Sequence, residues 1–137
     1  MKLELLEIPG VEASHQTSWK IRALAIDGVA PALDALLAWE KSEKADYKKI
    51  MKVMRIVGQS DRVRDEKHVK KSSNPTHEDS YEMRAHRGHA RLMFFYSEQD
   101  ETVVVCTNSY WKGKGDQDTA FGQCSRLKQL CLKANLF

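Results

Sequence analysis

The segment YEMRAHRGHARLMFFYS, residues 81–97, places three arginines and two histidines directly before or at the start of an apolar run. These basic residues are Arg84, His86, Arg87, His89 and Arg91. Arginine stays charged throughout, and its planar guanidinium can hold two phosphate oxygens at once. Histidine exchanges protons close to neutral pH. Together, these residue types suit binding and cleavage of a phosphodiester.

The strand pattern predicts where these groups lie. Because side chains alternate along a strand, Arg84 and His86 are expected on the same face. A turn at HRGH would bring Arg91 beside Arg84, and the end of the following strand would bring Lys112 and Lys114 to the same edge. Four cations, Arg84, Arg91, Lys112 and Lys114, are therefore predicted to converge.

A cluster of like charges repels itself, and two explanations stay open for it. In the first, a polyanion neutralises the cluster with its phosphates. In the second, Glu82, Asp116 and Asp118 pair with these cations at the surface, each pair contributing about 0 to 1 kcal/mol. The residues alone favour neither explanation.

The basic residues are concentrated in two segments, although the net charge is only +3. Residues 62–71, RVRDEKHVKK, carry six basic groups against two acids, and residues 84–91 carry five against none. His68, Lys70 and Lys71 belong to the first segment. Such segments suit phosphate contacts, but a run of charge can also be only a solvated surface.

Length and composition predict one globular domain. The chain has 137 residues, of which 42% are apolar and 30% charged, so neither disorder nor a fibrous repeat is indicated. Its apolar runs reach about five residues, whereas a membrane span needs ~20. MKLELLEIPG lacks the apolar core of a signal peptide, so a cytoplasmic protein is expected. The three cysteines, Cys106, Cys124 and Cys131, are expected to be reduced and buried.

The first half of the chain predicts a strand and two helices. TSWKIRALAID, residues 17–27, reads as a strand, and DGVAP is a turn that leads into a helix from Pro31 to about Trp39. Apolar residues at helical spacing predict a second helix from Tyr47 to Val57, ended by Gly58. The two helices should form an antiparallel hairpin. Residues 59–79 read as a polar, basic and mobile connection.

The second half predicts an antiparallel meander and a final helix. The strands are expected at about 81–85, 91–96 and 102–110, with VVVCT in the central strand. The buried stripe of the last helix is predicted to comprise Ala120, Cys124, Leu127, Cys131 and Ala134. Asp116 and Asp118 favour its N-terminus.

The predicted fold class is therefore α+β: a small antiparallel sheet of three or four strands, with an N-terminal helical hairpin and a C-terminal helix. KLELLEI is a possible extra strand. It lies within residues 1–15, which are read as an N-terminal extension of the single domain, 1–137.

Three stretches of the chain resemble a known family. They are the strand before DGVAP with the helical hairpin, the segment SYEMRAHRGHARLMFFYSEQDETVVV, and NSYWKGK before the last helix. This succession resembles the RelE/ParE superfamily of bacterial toxins, particularly its phage-derived, HigB-like branch. The resemblance covers about residues 18–133.

The resemblance implies a ribosome-dependent endoribonuclease that cleaves mRNA, needs no metal or cofactor, and is held inactive by a cognate antitoxin protein. Arg84 and Arg91 match positions where the family carries strand cations that face the RNA. Lys112 or Lys114 matches the basic position before the last helix. In the same reading, His86 joins Arg84, Arg91 and Lys112 as a catalytic candidate. The expected substrate-binding residues are His68, Lys70, Lys71, Arg87, His89, Trp111 and Lys114.

The chemistry of RNA cleavage suggests roles for these residues. Attack by the 2′-hydroxyl needs a base, stabilisation of the charge on phosphorus, and an acid for the leaving 5′ oxygen. Arg91 is the expected stabiliser, because a guanidinium holds phosphate oxygens bidentately. His68, His86, His89 and the lysines are candidates for base and acid, and the choice among them stays open.

A second function class stays open as well. The same fold can be a non-catalytic toxin that inhibits gyrase, or a module that only binds nucleic acid. Other motifs are weaker. GKGD lacks the serine or threonine of a phosphate-binding P-loop. The pair His86 and His89 has no second pair of ligands at zinc-binding spacing.

Overall fold

The computed structural model describes residues 1–11, 19–60, 63, 65–77, 79–97 and 103–136. Within these ranges the chain forms six strands, three α-helices and a single 3₁₀ turn at Pro75–His77. The strands are β1 (Leu3–Glu7), β2 (Lys20–Ile26), β3 (Val69–Lys71), β4 (Tyr81–Arg84), β5 (Ala90–Ser97) and β6 (Val103–Trp111). The helices are α1 (Pro31–Ser42), α2 (Lys44–Gln59) and α3 (Gln117–Lys133).

The strands form one sheet in the order β1-β2-β6-β5-β4-β3. All neighbours are antiparallel except β2 and β6, which are parallel. The predicted meander of β4, β5 and β6 is confirmed, and so is the central position of VVVCT in β6. Every residue of β5 is buried, because both faces of the sheet are covered.

Helices pack on both faces of the sheet. The larger apolar cluster lies on the side of α1 and α2 and includes Trp39, Met54 and Phe94. The smaller cluster lies under α3 and includes Phe95 and Cys124. All three cysteines are buried free thiols, as expected. None of the helices in the described ranges combines the length and apolar character needed to cross a membrane.

The α+β class and the order of strand, two helices, meander and helix agree with the sequence prediction. Two details differ. The sheet is mixed and has six strands, because β1 pairs with β2 at one edge and β3 pairs with β4 at the other. The helical pair is not N-terminal either, since two strands precede it.

The prediction of a mobile connection over residues 59–79 is wrong for its second half. β3 lies there, with Val69 opposite Met83, and only Val69 is buried. A single apolar residue among charged neighbours leaves no strand pattern in the sequence. Asn74 donates from Nδ2 to Asp118 Oδ1 over 3.1 Å, so this segment is also attached to α3.

Some predicted ends shift as well. α1 continues past Trp39 to Ser42. Gly58 does not end α2 but lies inside it, where a Cβ would come within 3.1 Å of Ile21 Cδ1. Asp116 caps α3 as predicted, by accepting from the Thr119 amide over 3.0 Å. Ala134 lies at the exposed C-cap and not on the buried stripe. Residues 17, 18 and 102, at the ends of predicted strands, lie outside the described residues.

Candidate functional site

One end of the sheet carries a pocket built by the meander. β4 and β6 end here, and β3 and β5 begin here. Antiparallel pairing therefore brings together the turn at residues 65–68, the turn at residues 85–89 and the segment that follows β6. The pocket has a volume of about 690 Å³. It is lined by Glu66, Lys67, Arg84, Ala85, His86, Arg87, Gly88, His89, Arg91, Lys112 and Gly113.

We call this concavity the basic pocket, because five of its lining residues are lysines or arginines. These are Lys67, Arg84, Arg87, Arg91 and Lys112, and the single carboxylate among the described lining residues is that of Glu66. The predicted convergence of Arg84, Arg91 and Lys112 is therefore observed, whereas Lys114 does not line the pocket. Lys67, Arg87 and Lys112 are exposed. The pocket thus presents a strongly positive surface to solvent.

Arg84 is held on the wall of the pocket from two sides. Its Nε lies 3.3 Å from Oε2 of Glu82, and its Nη1 donates to the backbone oxygen of Glu66 over 3.0 Å. The side chain keeps 27% of its surface exposed. The guanidinium is therefore oriented before any ligand arrives, which lowers the entropic cost of binding an anion.

Glu82 is fully buried and stands at the centre of a polar network beneath the pocket. Its Oε1 accepts from the Tyr110 hydroxyl over 2.6 Å. Its two carboxylate oxygens accept from the Gln117 amide over 3.3 and 3.4 Å. Burial and the hydrogen bond to Glu82 together raise the pKa of Tyr110 above its usual range. Tyr110 therefore remains a donor at physiological pH.

The sequence left open that Glu82, Asp116 and Asp118 pair with the cations at the surface. Glu82 does pair with Arg84, but this ion pair is buried on the side of Glu82. Asp116 and Asp118 do not pair with the cations of the pocket. Asp116 caps α3, and Asp118 lies 3.3 Å from His77 Nδ1. Most of the positive charge in the pocket therefore has no acidic partner among the described residues.

Arg91 borders the basic pocket but is too enclosed for the expected phosphate contact. Only 4% of it is exposed, and burial lowers the pKa of its guanidinium. Its Nη1 donates to the backbone oxygens of Ala90, Gly88 and Ala85 over 2.9, 3.2 and 3.4 Å. Arg91 thereby fixes the turn between β4 and β5, and Arg84 is the better-placed guanidinium for a phosphate.

The same turn is anchored to α2 by Asp46. Oδ2 of Asp46 accepts from the backbone amides of His89 and Ala90 over 2.7 and 2.8 Å. This close approach depends on Gly88, because a Cβ there would lie 2.6 Å from Asp46 Oδ1. The turn that carries the pocket residues is therefore positioned by a carboxylate on a helix remote in sequence.

We expect Gly88→Ala to lower the free energy of unfolding by about 1 to 3 kcal/mol, because the added methyl group displaces the Asp46 carboxylate. Urea denaturation followed by circular dichroism measures the change. The matched control repeats the substitution in an Asp46→Ala background, where the obstacle is gone and the cost should shrink. Equal costs in both backgrounds would show that Asp46 is not what makes Gly88 necessary.

His86 is exposed at the mouth of the pocket and surrounded by positive charge. Partial desolvation and the charges of Arg87 and Lys67 lower its pKa below the ordinary value, and His68 and Lys49 act in the same direction. The imidazole is therefore neutral at physiological pH. It is suited to accept a proton.

His89 and Trp111 form a stacked pair at the rim. Their ring centroids are 5.2 Å apart and their planes differ by 14°. The Lys112 amide donates to the backbone oxygen of His89 over 2.8 Å, which joins the β6 exit to the turn. His89 thus covers one face of the Trp111 ring, so Trp111, which the resemblance implies as a substrate-binding residue, has only its remaining surface for contact with a nucleobase.

Five expected substrate-binding residues do not line the pocket: His68, Lys70, Lys71, Trp111 and Lys114. Lys71 lies 3.7 Å from Asp79 Oδ1 and 5.9 Å from the centroid of the Tyr81 ring, on the opposite face of the sheet from Glu82. Lys70 pairs in register with Glu82. His68 lies 3.4 Å from Asp65, and its electrostatic interaction with His86 contributes to lowering the pKa of that imidazole. The register of β3, which the sequence pattern did not reveal, determines the placements of Lys70 and Lys71.

Several residues of the site were not singled out from the sequence. Lys67 belongs to the basic segment 62–71, so its charge was a usable signal. Asp46, Lys49 and Tyr110 come from distant parts of the chain and only the fold brings them to the pocket. Within the described ranges, no group of three histidine, cysteine or acidic side chains is placed to hold a metal ion.

A second concavity, also about 690 Å³, lies between the N-terminal segment and α2. Its lining includes Ile8, Trp19, Met54 and Arg55, and it adjoins residues on both sides of the undescribed range 12–18. Its described lining has three cations, Lys20, Arg22 and Arg55, and no histidine, so it offers less chemistry than the basic pocket. No protein-family model, curated protein or solved structure matches the chain.

Proposed function

We propose that the basic pocket binds the backbone of single-stranded RNA and cleaves it, and that the protein is the mRNA-cleaving toxin of a toxin–antitoxin pair in the cytoplasm. The observation that carries this proposal is the gathering of five cationic side chains and two histidines in one concavity, whose described lining residues include a single carboxylate. A phosphodiester backbone supplies the charge that such a surface lacks.

Binding is explained by the exposed cations. Lys67, Arg87 and Lys112 face solvent and, in the described part of the chain, form no ion pair with an acid. Their mutual repulsion is relieved when phosphates replace the small counterions around them. Arg84 adds a guanidinium whose orientation is fixed by Glu82 and by the backbone oxygen of Glu66, so its N–H groups are already directed for binding a phosphate.

Cleavage follows from the same arrangement. His86, neutral at physiological pH, takes the proton of the 2′-hydroxyl, whose oxygen then attacks phosphorus. Arg84 stabilises the added negative charge on the phosphorane oxygens. Lys112 or His89 gives a proton to the departing 5′ oxygen as its bond to phosphorus breaks. The products are a 2′,3′-cyclic phosphate and a 5′-hydroxyl.

The resemblance to RelE/ParE toxins supports the toxin assignment and the ribosome as the place of action. The observed succession β2, α1, α2, β4, β5, β6, α3 has the order that the resemblance implies. A cognate antitoxin would inhibit the protein by covering the basic pocket or by laying a helix or strand on an apolar surface.

The decisive experiment offers the purified protein an RNA strand, the DNA strand of the same sequence, and an mRNA on translating ribosomes. Cleavage is expected for RNA but not for DNA, because DNA lacks the attacking 2′-hydroxyl. Mapping of the product ends identifies the cyclic phosphate. Intact RNA both free and on active ribosomes would rule out the nuclease, whatever the affinity.

A nucleic-acid-binding module without cleavage is the second candidate. The observation that favours it is the burial of Arg91, which removes the guanidinium expected to stabilise the transition state. Among the described residues of the pocket, Arg84 alone is both partly exposed and held by a buried acid. This candidate predicts salt-dependent binding of RNA and DNA with similar affinity and no cleavage of either. Cleavage of RNA alone would dispose of it.

The pH dependence of cleavage gives a further prediction. Because its pKa is lowered, His86 should stop acting as a base only at a pH below the ordinary histidine pKa of about 6.5. Arg87→Gln removes a positive charge that disfavours the imidazolium, so it should raise the pKa of His86 and move the acidic limb of the rate profile upward. NMR titration of the imidazole measures this shift.

The control for this titration is Lys133→Gln, which removes an exposed charge from the C-terminal end of α3. It should leave the pKa of His86 unchanged. An acidic limb that persists unaltered in His86→Ala would show that another group takes the proton.

A further inference from the structure

The exposed face of α2 carries a row of positive charges. Lys44, Lys48, Lys52 and Arg55 follow one another at helical spacing and are all exposed, and Lys49 adds a fifth, half-buried charge. In the described residues none of these five forms an ion pair with a carboxylate. By contrast, Lys2, Lys71 and Lys128 each have an acidic partner.

This arrangement is the reverse of what stabilises a helix. Lys44 is the first residue of α2, where the helix dipole disfavours a cation, and the last turn has no basic residue. Lys48 and Lys52 repeat at a spacing that brings like charges together. The only acid within α2 is Asp46, whose Oδ2 is occupied by two backbone amides. Nothing within the helix balances the row, so an external anion is its natural complement.

The row is continuous with the basic pocket. The charge of Lys49 reaches His86 and contributes to lowering its pKa, and Asp46 joins the first turns of α2 to the turn at residues 85–89. From Lys44 to Arg55 the helix spans roughly 16 Å at its ordinary rise. That length accommodates several successive phosphates of an extended strand.

We propose that the exposed face of α2 is a second section of the binding site, which holds the phosphates of an RNA strand that leaves the basic pocket. This inference rests on the proposed function for the identity of the ligand. It assigns the substrate class more narrowly: a single-stranded RNA of several nucleotides, whose affinity depends on length because part of the binding energy is supplied outside the pocket.

The test uses the variant Lys48→Gln/Lys52→Gln and two labelled ligands, a uridine dinucleotide and an RNA of about 12 nucleotides. The variant should bind the long RNA roughly 10- to 30-fold more weakly at moderate salt. The slope of its logarithmic affinity against the logarithm of salt concentration should fall in magnitude by about 1.4, the value for two lost contacts on a single strand. The ratio of long to short affinity should fall accordingly.

The matched control is Arg126→Gln/Lys133→Gln, which removes two exposed charges from α3 on the other face of the sheet. It should keep the wild-type length dependence. Since the α2 variant loses like-charge repulsion, its melting temperature should be equal to or above that of the wild type, so weaker binding cannot be assigned to unfolding.

Three results would overturn the proposal. The α2 variant could bind the long RNA with unchanged affinity, or the α3 control could lose as much affinity as the α2 variant. With polyglutamate as a third ligand, the α2 variant could bind this acidic polypeptide more weakly while its affinity for RNA stays unchanged. Its failure is distinct from failure of the proposed function. If the wild-type protein binds long RNA through α2 but does not cut it, the proposed nuclease function is wrong and the α2 binding surface stands. One that cuts RNA with no contribution from α2 does the opposite.

Discussion

Glu82→Ala is expected to lower the free energy of unfolding by about 3 to 5 kcal/mol, because it breaks a buried ion pair and leaves its partners behind. Glu82 is fully buried and interacts with Tyr110, Gln117 and Arg84. Without the carboxylate, a hydroxyl and an amide lose their acceptor, and the guanidinium loses its counter-charge. Urea denaturation measures the change through the midpoint.

A loss of this size is a large fraction of the stability of an ordinary domain. Glu82→Gln therefore provides a milder variant that keeps the shape and one acceptor oxygen, with an expected loss of about 1 to 3 kcal/mol. The control is Glu4→Ala in β1, which removes a strand carboxylate whose 3.5 Å pair with Lys2 is exposed. That pair should contribute at most about 1 kcal/mol. If the Glu82 and Glu4 variants lose the same stability, the buried network is not a stabilising feature of this fold.

The second large effect is expected at Arg84. Arg84→Ala should reduce the rate of RNA cleavage by about 10²- to 10³-fold, the usual consequence of removing one donor aimed at the charge that develops in the transition state. Single-turnover rates at saturating protein measure the chemical step apart from binding. The reduction should appear mainly in this rate constant, because Lys67, Arg87 and Lys112 still hold the strand.

Arg84→Lys separates charge from geometry at the same position. Lysine keeps the positive charge but lacks the planar fork that reaches Glu82 and the phosphate together, so an intermediate rate is expected. Arg126→Ala, on the exposed surface of α3, serves as the control for a lost arginine. Cleavage by Arg84→Ala at the wild-type rate would show that the phosphorane is stabilised elsewhere.

The meander and its charge were predictable from the sequence for physical reasons. Alternating apolar residues and short turns specify antiparallel neighbours, and antiparallel pairing makes strand ends meet. Arg84, Arg91 and Lys112 therefore had to lie near one edge once their strands were assigned. The apolar run VVVCT likewise predicts a central strand, the position that β6 has in the sheet.

The burial of individual charges was not predictable in the same way. Arg91 is enclosed by the turn between β4 and β5, in which Arg87 adopts φ 62° and backbone carbonyl groups point at the guanidinium. The directions of carbonyl groups cannot be read from the residue types. Glu82 is buried by Tyr110 and Gln117, which lie 28 and 35 residues further along the chain. Local patterns specify strands, whereas these contacts depend on how distant segments meet.

The contact between Asp46 and the turn at Gly88 has a consequence for evolution. An added side chain at Gly88 would collide with the carboxylate of Asp46, so each residue restricts the other. Divergent descendants of this chain should therefore change both positions together, with larger residues admitted at Gly88 only in lineages that have replaced Asp46. This covariation would link a helix to the β4–β5 turn across 42 positions of sequence.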